Sequence, residues 1–472
     1  MRICFVSPPL NVKERYARLA PFGSNMPSLG LLSLAAVVRK AGFTPAIIPS
    51  DNLNIGYNRT LERINRFSPD ILAITATTFS INQAHELSVL AKKNNRGLIV
   101  LIGGHHLSAL PKETLEKFPG FDIGVIGEGE LTLVQLLERL EQNKDTSDTK
   151  GIVFRKNNNT VINPPQELID RLDGLPLPAW DLLEGFPKAY YPPFFRSKGL
   201  PAASIVTSRG CPSSCIFCSK AVFGNRVRFF SPEYVFSMIR LLHDSYGVND
   251  ILIEDDTFTI DKQRVSDICE LILNSGLKIN WSCLARADNI DGSVLTRMKK
   301  AGCWQISFGI ESGSQDILNS SQKGINLDVI DRAIRISKKS GILTKGFFIL
   351  GFPNDTGRTI KETIRFAKKS ALDDISVNFM TPFPGTELYN NAAEFGEFDN
   401  DWKNMNLLSV VFIPKALTRE KLKKYAIIFM REFYLRPKII YSYFKRIIIQ
   451  PYYYGRAVKS FAAFLKTIFI KT

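Results

Sequence analysis

Along residues 1–145, short apolar runs alternate with longer stretches of helical period. The runs at 2–6, 44–48, 71–75, 98–102 and 123–126 are apolar almost throughout, as buried parallel strands are. Between them, 29–40, 60–67, 81–93 and 131–141 carry apolar residues every three or four positions, which predicts helices. Five such strands alternating with helices predict an α/β domain over 1–145 built on a Rossmann-like, doubly wound parallel sheet. Ligands on such sheets bind beyond the carboxyl ends of the strands. The segments there are Ser7-Pro8-Pro9, residues 75–79, Gly103-Gly104-His105-His106 and Gly127-Glu128-Gly129-Glu130. None reads G-x-G-x-x-G before a helix, so a nicotinamide site is not expected.

Residues 146–200 break this rhythm. A hairpin over 151–162 with an Asn-rich turn is followed by a Pro-rich stretch without periodicity, which predicts a connector. The alternation then resumes over 201–394, with strands at 203–206, 250–253, 279–283, 305–309, 345–350 and 375–380. Helices are expected at 232–246, 262–274, 293–301, 327–340 and 359–370, giving a partial (β/α)6 barrel. Chemistry in βα barrels gathers at the carboxyl ends of the strands. Here those ends carry Glu254-Asp255-Asp256, Arg286 with Asp288, Glu311-Ser312-Gly313-Ser314, Gly351-Phe352-Pro353 and Pro382-Phe383-Pro384-Gly385-Thr386. Consecutive acids repel unless they meet cations or donors, so they point to a ligand.

The first barrel strand runs into Arg209-Gly210-Cys211-Pro212-Ser213-Ser214-Cys215-Ile216-Phe217-Cys218. Cys211, Cys215 and Cys218 stand at C-x3-C-x2-C spacing, with no fourth Cys or His nearby to close a structural zinc site. Three ligands fit a 4Fe-4S cluster with one open iron better, a zinc module being the lesser alternative. Cys4, Cys269, Cys283 and Cys303 lie in apolar surroundings and read as core residues. With no disulfide framework and no stretch resembling a cleavable signal, a reducing cytoplasm is expected. The net charge of +16 is concentrated in 417–472, which holds thirteen Lys/Arg against Glu420 and Glu432. A general nucleic-acid surface is therefore not expected. The region 395–472 is expected to be helical, basic and rich in aromatics. It has no apolar run of the ~20 residues a spanning helix needs. Contact with the inner face of a membrane and a cap over the barrel with a solvated basic face both fit this pattern.

The cysteine motif, Asp256-Thr257-Phe258-Thr259, Gly309-Ile310-Glu311-Ser312-Gly313-Ser314 and Pro382-Phe383-Pro384-Gly385-Thr386 together resemble the radical SAM superfamily. The likeness is to the subgroup of anaerobic Mg-protoporphyrin ester cyclases and hopanoid methylases, whose catalytic domain follows a cobalamin-binding domain. It implies a 4Fe-4S cluster on Cys211, Cys215 and Cys218. S-adenosylmethionine would be held by Glu254, Asp255 or Asp256, by Arg286 at its carboxylate and by Glu311 and Ser312 at its ribose. The family's Gly-Gly-Glu motif reads Glu-Asp-Asp here, so which acid makes contact stays open.

By the same resemblance, cobalamin would lie over Gly103, Gly104, Gly127, Glu128 and Gly129, although these glycines could simply end strands. His105 and His106 could reach cobalt, yet the D-x-H-x-x-G motif is absent after the first strand. The implied activity is cobalamin-dependent methylation of an unactivated carbon in a hydrophobic substrate, with a flavodoxin- or ferredoxin-type electron donor; the aromatic-rich, basic tail hints at a small, lipid-like molecule. Oxidative cyclisation and a non-catalytic protein with a vestigial cobalamin domain are the alternatives. No residue announces itself as a general acid or base.

Overall fold

The computed structural model describes residues 1–16, 20, 23–157, 159–193 and 196–449. Seven strands form the first sheet: β1 (Arg2–Ser7), β2 (Thr44–Pro49), β3 (Ile71–Thr75), β4 (Ile99–Gly103), β5 (Ile123–Val125), β6 (Ile152–Lys156) and β7 (Asn159–Ile162). Their order is β2-β1-β3-β4-β5-β6-β7. The first five are parallel, and the strand order reverses between β1 and β3, the doubly wound arrangement. Apolar runs suit them because both faces are covered. Ile3, Phe5, Ile71 and Leu101 enter one core, while Cys4, Val6, Leu72, Ile74 and Val100 enter the other.

The hairpin β6–β7, which its sequence assigned to the connector, extends this sheet as two antiparallel edge strands. Register explains the attachment: Ile123, Gly124 and Val125 pair with Phe154, Val153 and Ile152. The Pro-rich stretch beyond it is irregular but not loose. Its Leu172, Leu175, Trp180 and Tyr190 are buried in a core that runs from the first sheet into the barrel.

The second sheet holds six parallel strands: β8 (Ala202–Ile205), then, beyond a ribbon of β9 (Ser208–Arg209) and β10 (Arg228–Phe229), β11 (Asp250–Ile253), β12 (Asn280–Ala285), β13 (Cys303–Glu311), β14 (Leu343–Leu350) and β15 (Asp374–Phe379). The order β15-β14-β13-β12-β11-β8 makes β8 and β15 the edges of a partial barrel. On β13, Ile306, Phe308 and Ile310 join the core, so Gln305 and Ser307 alternate to its other face.

The region after 395 is not helical throughout. The strands β16 (Gly396–Phe398) and β17 (Phe412–Pro414) pair antiparallel there, and Trp402 between them reaches into the core of the first sheet. Helix Arg419–Tyr434 then starts at Thr418, whose hydroxyl accepts from Lys421 N. Its Phe429 meets Phe348 of β14 edge-on at 5.1 Å, and Lys368 pairs with Glu432 at 2.7 Å. Helix Pro437–Ile449 follows, with Ile440, Tyr441, Phe444 and Ile448 exposed. The Tyr452-Tyr453-Tyr454 run and the alternating basic and apolar residues to 472 lie outside the described residues. Among the described residues, no helix is long and apolar enough to cross a membrane.

Phe429 is fully buried. Phe429→Ala is expected to cost about 3–5 kcal/mol, read from urea unfolding. A loss below about 1 kcal/mol would show that this helix is not part of the cooperative unit.

Candidate functional site

The cysteine loop is closed at its base by the β9–β10 ribbon, in which Arg209 stands opposite Arg228. Gly210 leads out of the ribbon at φ 89°, and a side chain there would strike the Arg226 carbonyl. Only glycine tolerates both conditions. Within the loop, Cys218 N donates to the Cys215 carbonyl at 3.1 Å and Ile216 N to the Ser321 carbonyl at 3.2 Å. Leu388 N donates to the Ile216 carbonyl at 3.0 Å, and Phe217 lies edge-on to Phe352 at 5.5 Å. The loop is thereby tied to the segments that follow β13, β14 and β15. Cys211 is half-buried, Cys215 buried and Cys218 exposed, and all three thiols are free.

The structure separates the three acids that end β11. The Asp255 carboxylate is buried and accepts from Thr207 N at 2.5 Å, Thr207 Oγ1 at 2.6 Å and Ser208 Oγ at 2.7 Å. It holds the chain between β8 and β9 and has no capacity left for a ligand. Glu254 pairs with Arg196 at 3.1 Å. Asp256 is exposed, and its carboxylate takes no hydrogen bond from the described residues.

Arg286 follows β12 and grips Asp288 through Nε at 3.1 Å and Nη2 at 2.8 Å, with Nη2 also donating to the Lys323 carbonyl at 3.0 Å. Glu311 ends β13 with φ 66°, unusual for a residue with a side chain, and pairs with Lys323 at 2.9 Å. The buried Ser312 hydroxyl meets Thr363 Oγ1 at 3.0 Å and accepts from Ser314 N at 3.1 Å, so it braces the turn. Lys323, Arg196, Arg209 and Arg228 belong to the surroundings of this mouth, and sequence reasoning assigned none of them a role. Their one local signal is Arg209 beside the cysteine motif.

In the first domain, Gly103 ends β4, and Gly104 follows at φ 100°, where a side chain would lie 2.8 Å from the Ala76 carbonyl. Gly127 lies against the Val222 carbonyl of the cysteine loop, and Gly129 packs on Leu34. Glu128 corrects the sequence expectation. It is 5% exposed and bonds Arg209 at 2.8 Å, Arg228 at 2.7 Å and Ile169 N at 2.9 Å, so no carboxylate oxygen is left for a cofactor. Glu130 completes the network with Arg209 at 2.6 Å. His106 is equally removed from a ligand's reach. It is buried, packs edge-on to Trp402 at 4.5 Å and contacts Thr78 Oγ1 at 3.2 Å through Nδ1. His105 is exposed at the end of β4 and interacts electrostatically with Asp256 across the domain boundary.

His105, Asp256 and Cys218 are thus open to solvent, yet burial is the leading influence on the pKa of each. They lie near one another, since Asp256 interacts electrostatically with both His105 and Cys218. Burial, then Asp256 and the other thiols, pushes Cys218 up to about 11. Burial raises Cys215 too, against the pull of Lys323 and Arg286. Metal binding must therefore displace protons from these thiols. Among the described residues, no three His, Cys, Asp or Glu groups converge to hold a single ion. A 4Fe-4S cluster does not require this, because each thiolate binds a different iron.

Two family models match the chain: the B12 binding domain over residues 17–137 and the radical SAM superfamily over 205–367. An uncharacterized methyltransferase of Pyrococcus horikoshii, PH0819, is 35% identical over 442 residues, covering 93% of this chain and 94% of the relative. The chain belongs to the radical SAM enzymes that carry a B12-binding domain. The anaerobic magnesium-protoporphyrin IX monomethyl ester cyclase of Rubrivivax gelatinosus is 28% identical over 89% of this chain and 75% of its own length. The cytidylyl-2-hydroxyethylphosphonate methyltransferase of Streptomyces wedmorensis is 27% identical over 88% and 87%. In fold, the chain matches the cobalamin-dependent radical enzyme OxsB, solved with aqua-cobalamin and S-adenosylmethionine, at a TM-score of 0.75. That match has 21% identity and covers 98% of this chain and 72% of that one. Membership in this family implies a 4Fe-4S cluster, S-adenosylmethionine and cobalamin as the cofactors.

Two expectations follow for these side chains. Asp255→Ala orphans three buried donors and should cost about 3 kcal/mol or more, whereas Asp256→Ala should leave the unfolding free energy within about 0.5 kcal/mol. Equal effects in denaturant titrations would contradict the division between them. His106 is held near 4 by burial and then by Lys117, below its unfolded value. The unfolded chain therefore binds the extra proton, and stability should fall as pH drops from about 6.5 toward 4. His106→Phe should flatten that slope, and an unchanged slope would place the acid sensitivity elsewhere.

Proposed function

We propose that this enzyme methylates an unactivated carbon of a small molecule, with Cys211, Cys215 and Cys218 holding the cluster. The observation that carries the reading is the proximity of three groups from two domains. The free cysteine loop, Asp256, which takes no hydrogen bond from the described residues, and His105 at the carboxyl end of β4 interact electrostatically. When bound, the cluster and S-adenosylmethionine would supply a radical that abstracts hydrogen, and cobalamin would supply the methyl group. The residues of this chain do the positioning. Asp256 is assigned to the ammonium of S-adenosylmethionine, Arg286 to its carboxylate and Glu311 to its ribose. Cobalamin is assigned to the carboxyl edge of the first sheet at Gly103, Gly104, Gly127 and Gly129, with His105 beside it. Glu128 and His106 are excluded from that surface by their own partners. Excluding water from the barrel mouth would keep the substrate radical from side reactions.

The barrel interior favours a substrate with polar groups over a wholly hydrophobic one. Ser282 Oγ, Ser307 Oγ and both amide atoms of Gln305 are buried without a partner among the described residues. A purely apolar occupant would leave them unpaired, which costs about 1–3 kcal/mol each. The electron donor is assigned to the flavodoxin or ferredoxin class because the cluster takes one electron at a time. Peripheral membrane contact is assigned to helix Pro437–Ile449, where exposed Ile440, Phe444 and Ile448 lie beside Lys438 and Lys445.

Anaerobic purification with cobalamin supplied is expected to yield a visible spectrum with both a corrin band and a cluster shoulder. A missing corrin band would sink the methylation reading while sparing the radical core. Product mass separates the rival outcome, since cyclisation adds no CH2. Cys215→Ala should lose the cluster shoulder and deoxyadenosine formation while keeping the far-ultraviolet circular dichroism of the folded chain. Asp256→Asn should weaken S-adenosylmethionine binding about 10- to 100-fold in equilibrium dialysis, the loss of one charge-assisted hydrogen bond. Unchanged affinity would move the ammonium site elsewhere.

A further inference from the structure

Glu128 is joined to both ends of the cysteine loop. Arg209 is the last residue before Gly210, Arg228 comes directly after the loop, and the two face each other in the β9–β10 ladder. Like charges directly opposite in an antiparallel pair destabilise it. These two are also almost fully out of water, with side chains 7% and 3% exposed. The ribbon has only two residues on each strand, too few to close by backbone pairing alone. What neutralises the pair comes from the other domain: Glu128 bonds Arg209 through Oε1 and Arg228 through Oε2, and Glu130 takes the second Nη of Arg209. The connector contributes as well, since Ile169 N donates to Glu128 and the Ile169 carbonyl accepts from Arg228. Two carboxylates balance two guanidinium groups, and removal of either partner would leave an unpaired buried charge.

We propose that Glu128 is a positioning residue that locks the cysteine loop: the ribbon closes, and the three thiols reach cluster-binding positions, only while the B12-binding domain is docked. The cluster and cobalamin sites are then not independent modules, because one carboxylate sets the spacing of both. This inference rests on the assignment of the cluster to Cys211, Cys215 and Cys218.

The test uses the full chain. Glu128→Gln, wild type and the double variant Glu128→Gln/Arg228→Gln are incubated anaerobically with iron and sulfide. Bound iron and the electron paramagnetic resonance spectrum of the reduced cluster are then measured. Wild type should bind about four irons per chain. Glu128→Gln should bind less than half as much, with a broadened spectrum, because one buried positive charge is left unbalanced. The double variant restores neutrality and should recover most of the iron, an outcome that general loss of stability would not produce. Before metal is added, trypsin should cut Glu128→Gln at Lys220 several times faster than wild type or the double variant. Wild-type loading and spectrum in Glu128→Gln, or a double variant as empty as the single, overturns the lock. If Glu128→Gln fails to fold, a double variant that folds and loads sustains the proposal, and one that does not load overturns it. If wild type itself binds no cluster, the cluster assignment fails, and the trypsin comparison on the metal-free chains decides the lock separately.

Discussion

Two guanidinium groups face each other across a short ribbon, out of water, with a carboxylate from another domain between them. Buried ion networks of this kind add little net stability, because desolvation offsets most of the attraction. What they impose is a condition, since the charges are tolerated only in one relative placement of their carriers. Around Glu128, that condition joins the first sheet, the connector and the cysteine loop. The apolar core running through Leu172, Trp180 and Tyr190 supplies the binding energy that the ion network lacks. Burial holds the two sheets together, and charge balance sets the loop between them.

The barrel mouth shows the same division between support and chemistry. Of three consecutive acids, Asp255 serves the backbone, Glu254 an arginine, and Asp256 is exposed. At β13, Glu311 adopts a left-handed backbone conformation and is restrained by Lys323, while Ser312 braces the next turn. Arg286, Glu311 and Lys323 at the mouth are already partnered among the described residues. A carboxylate that takes no hydrogen bond from the described residues, as Asp256 does, keeps its acceptors open for a cationic ligand.

Much of the fold was legible because buried strands and amphipathic helices leave periodic marks in the chain. The strands of both sheets and the cysteine loop at the first barrel strand follow from local pattern. The hairpin β6–β7 was placed in the connector because pattern says that a segment is a strand and not which edge accepts it. The pattern over 396–414 predicts helix with the rest of the tail, yet the stretch forms a hairpin that sends Trp402 into the distant first core. His106 shows the corresponding limit for chemistry. Beside His105 it has equal claim to a metal, until Trp402 and Thr78 enclose it.

By itself the sequence determined the two α/β layers, the family and the cysteine triplet, since each is written in spacings of a few residues. Tertiary structure decided which acid is free, which histidine is exposed and what Glu128 does. Glu128 meets Arg209 from 81 positions away, and Asp255 meets Thr207 from 48. A carboxylate's role depends on the donors that reach it, and donors at such separations are brought together by packing, which no local spacing records.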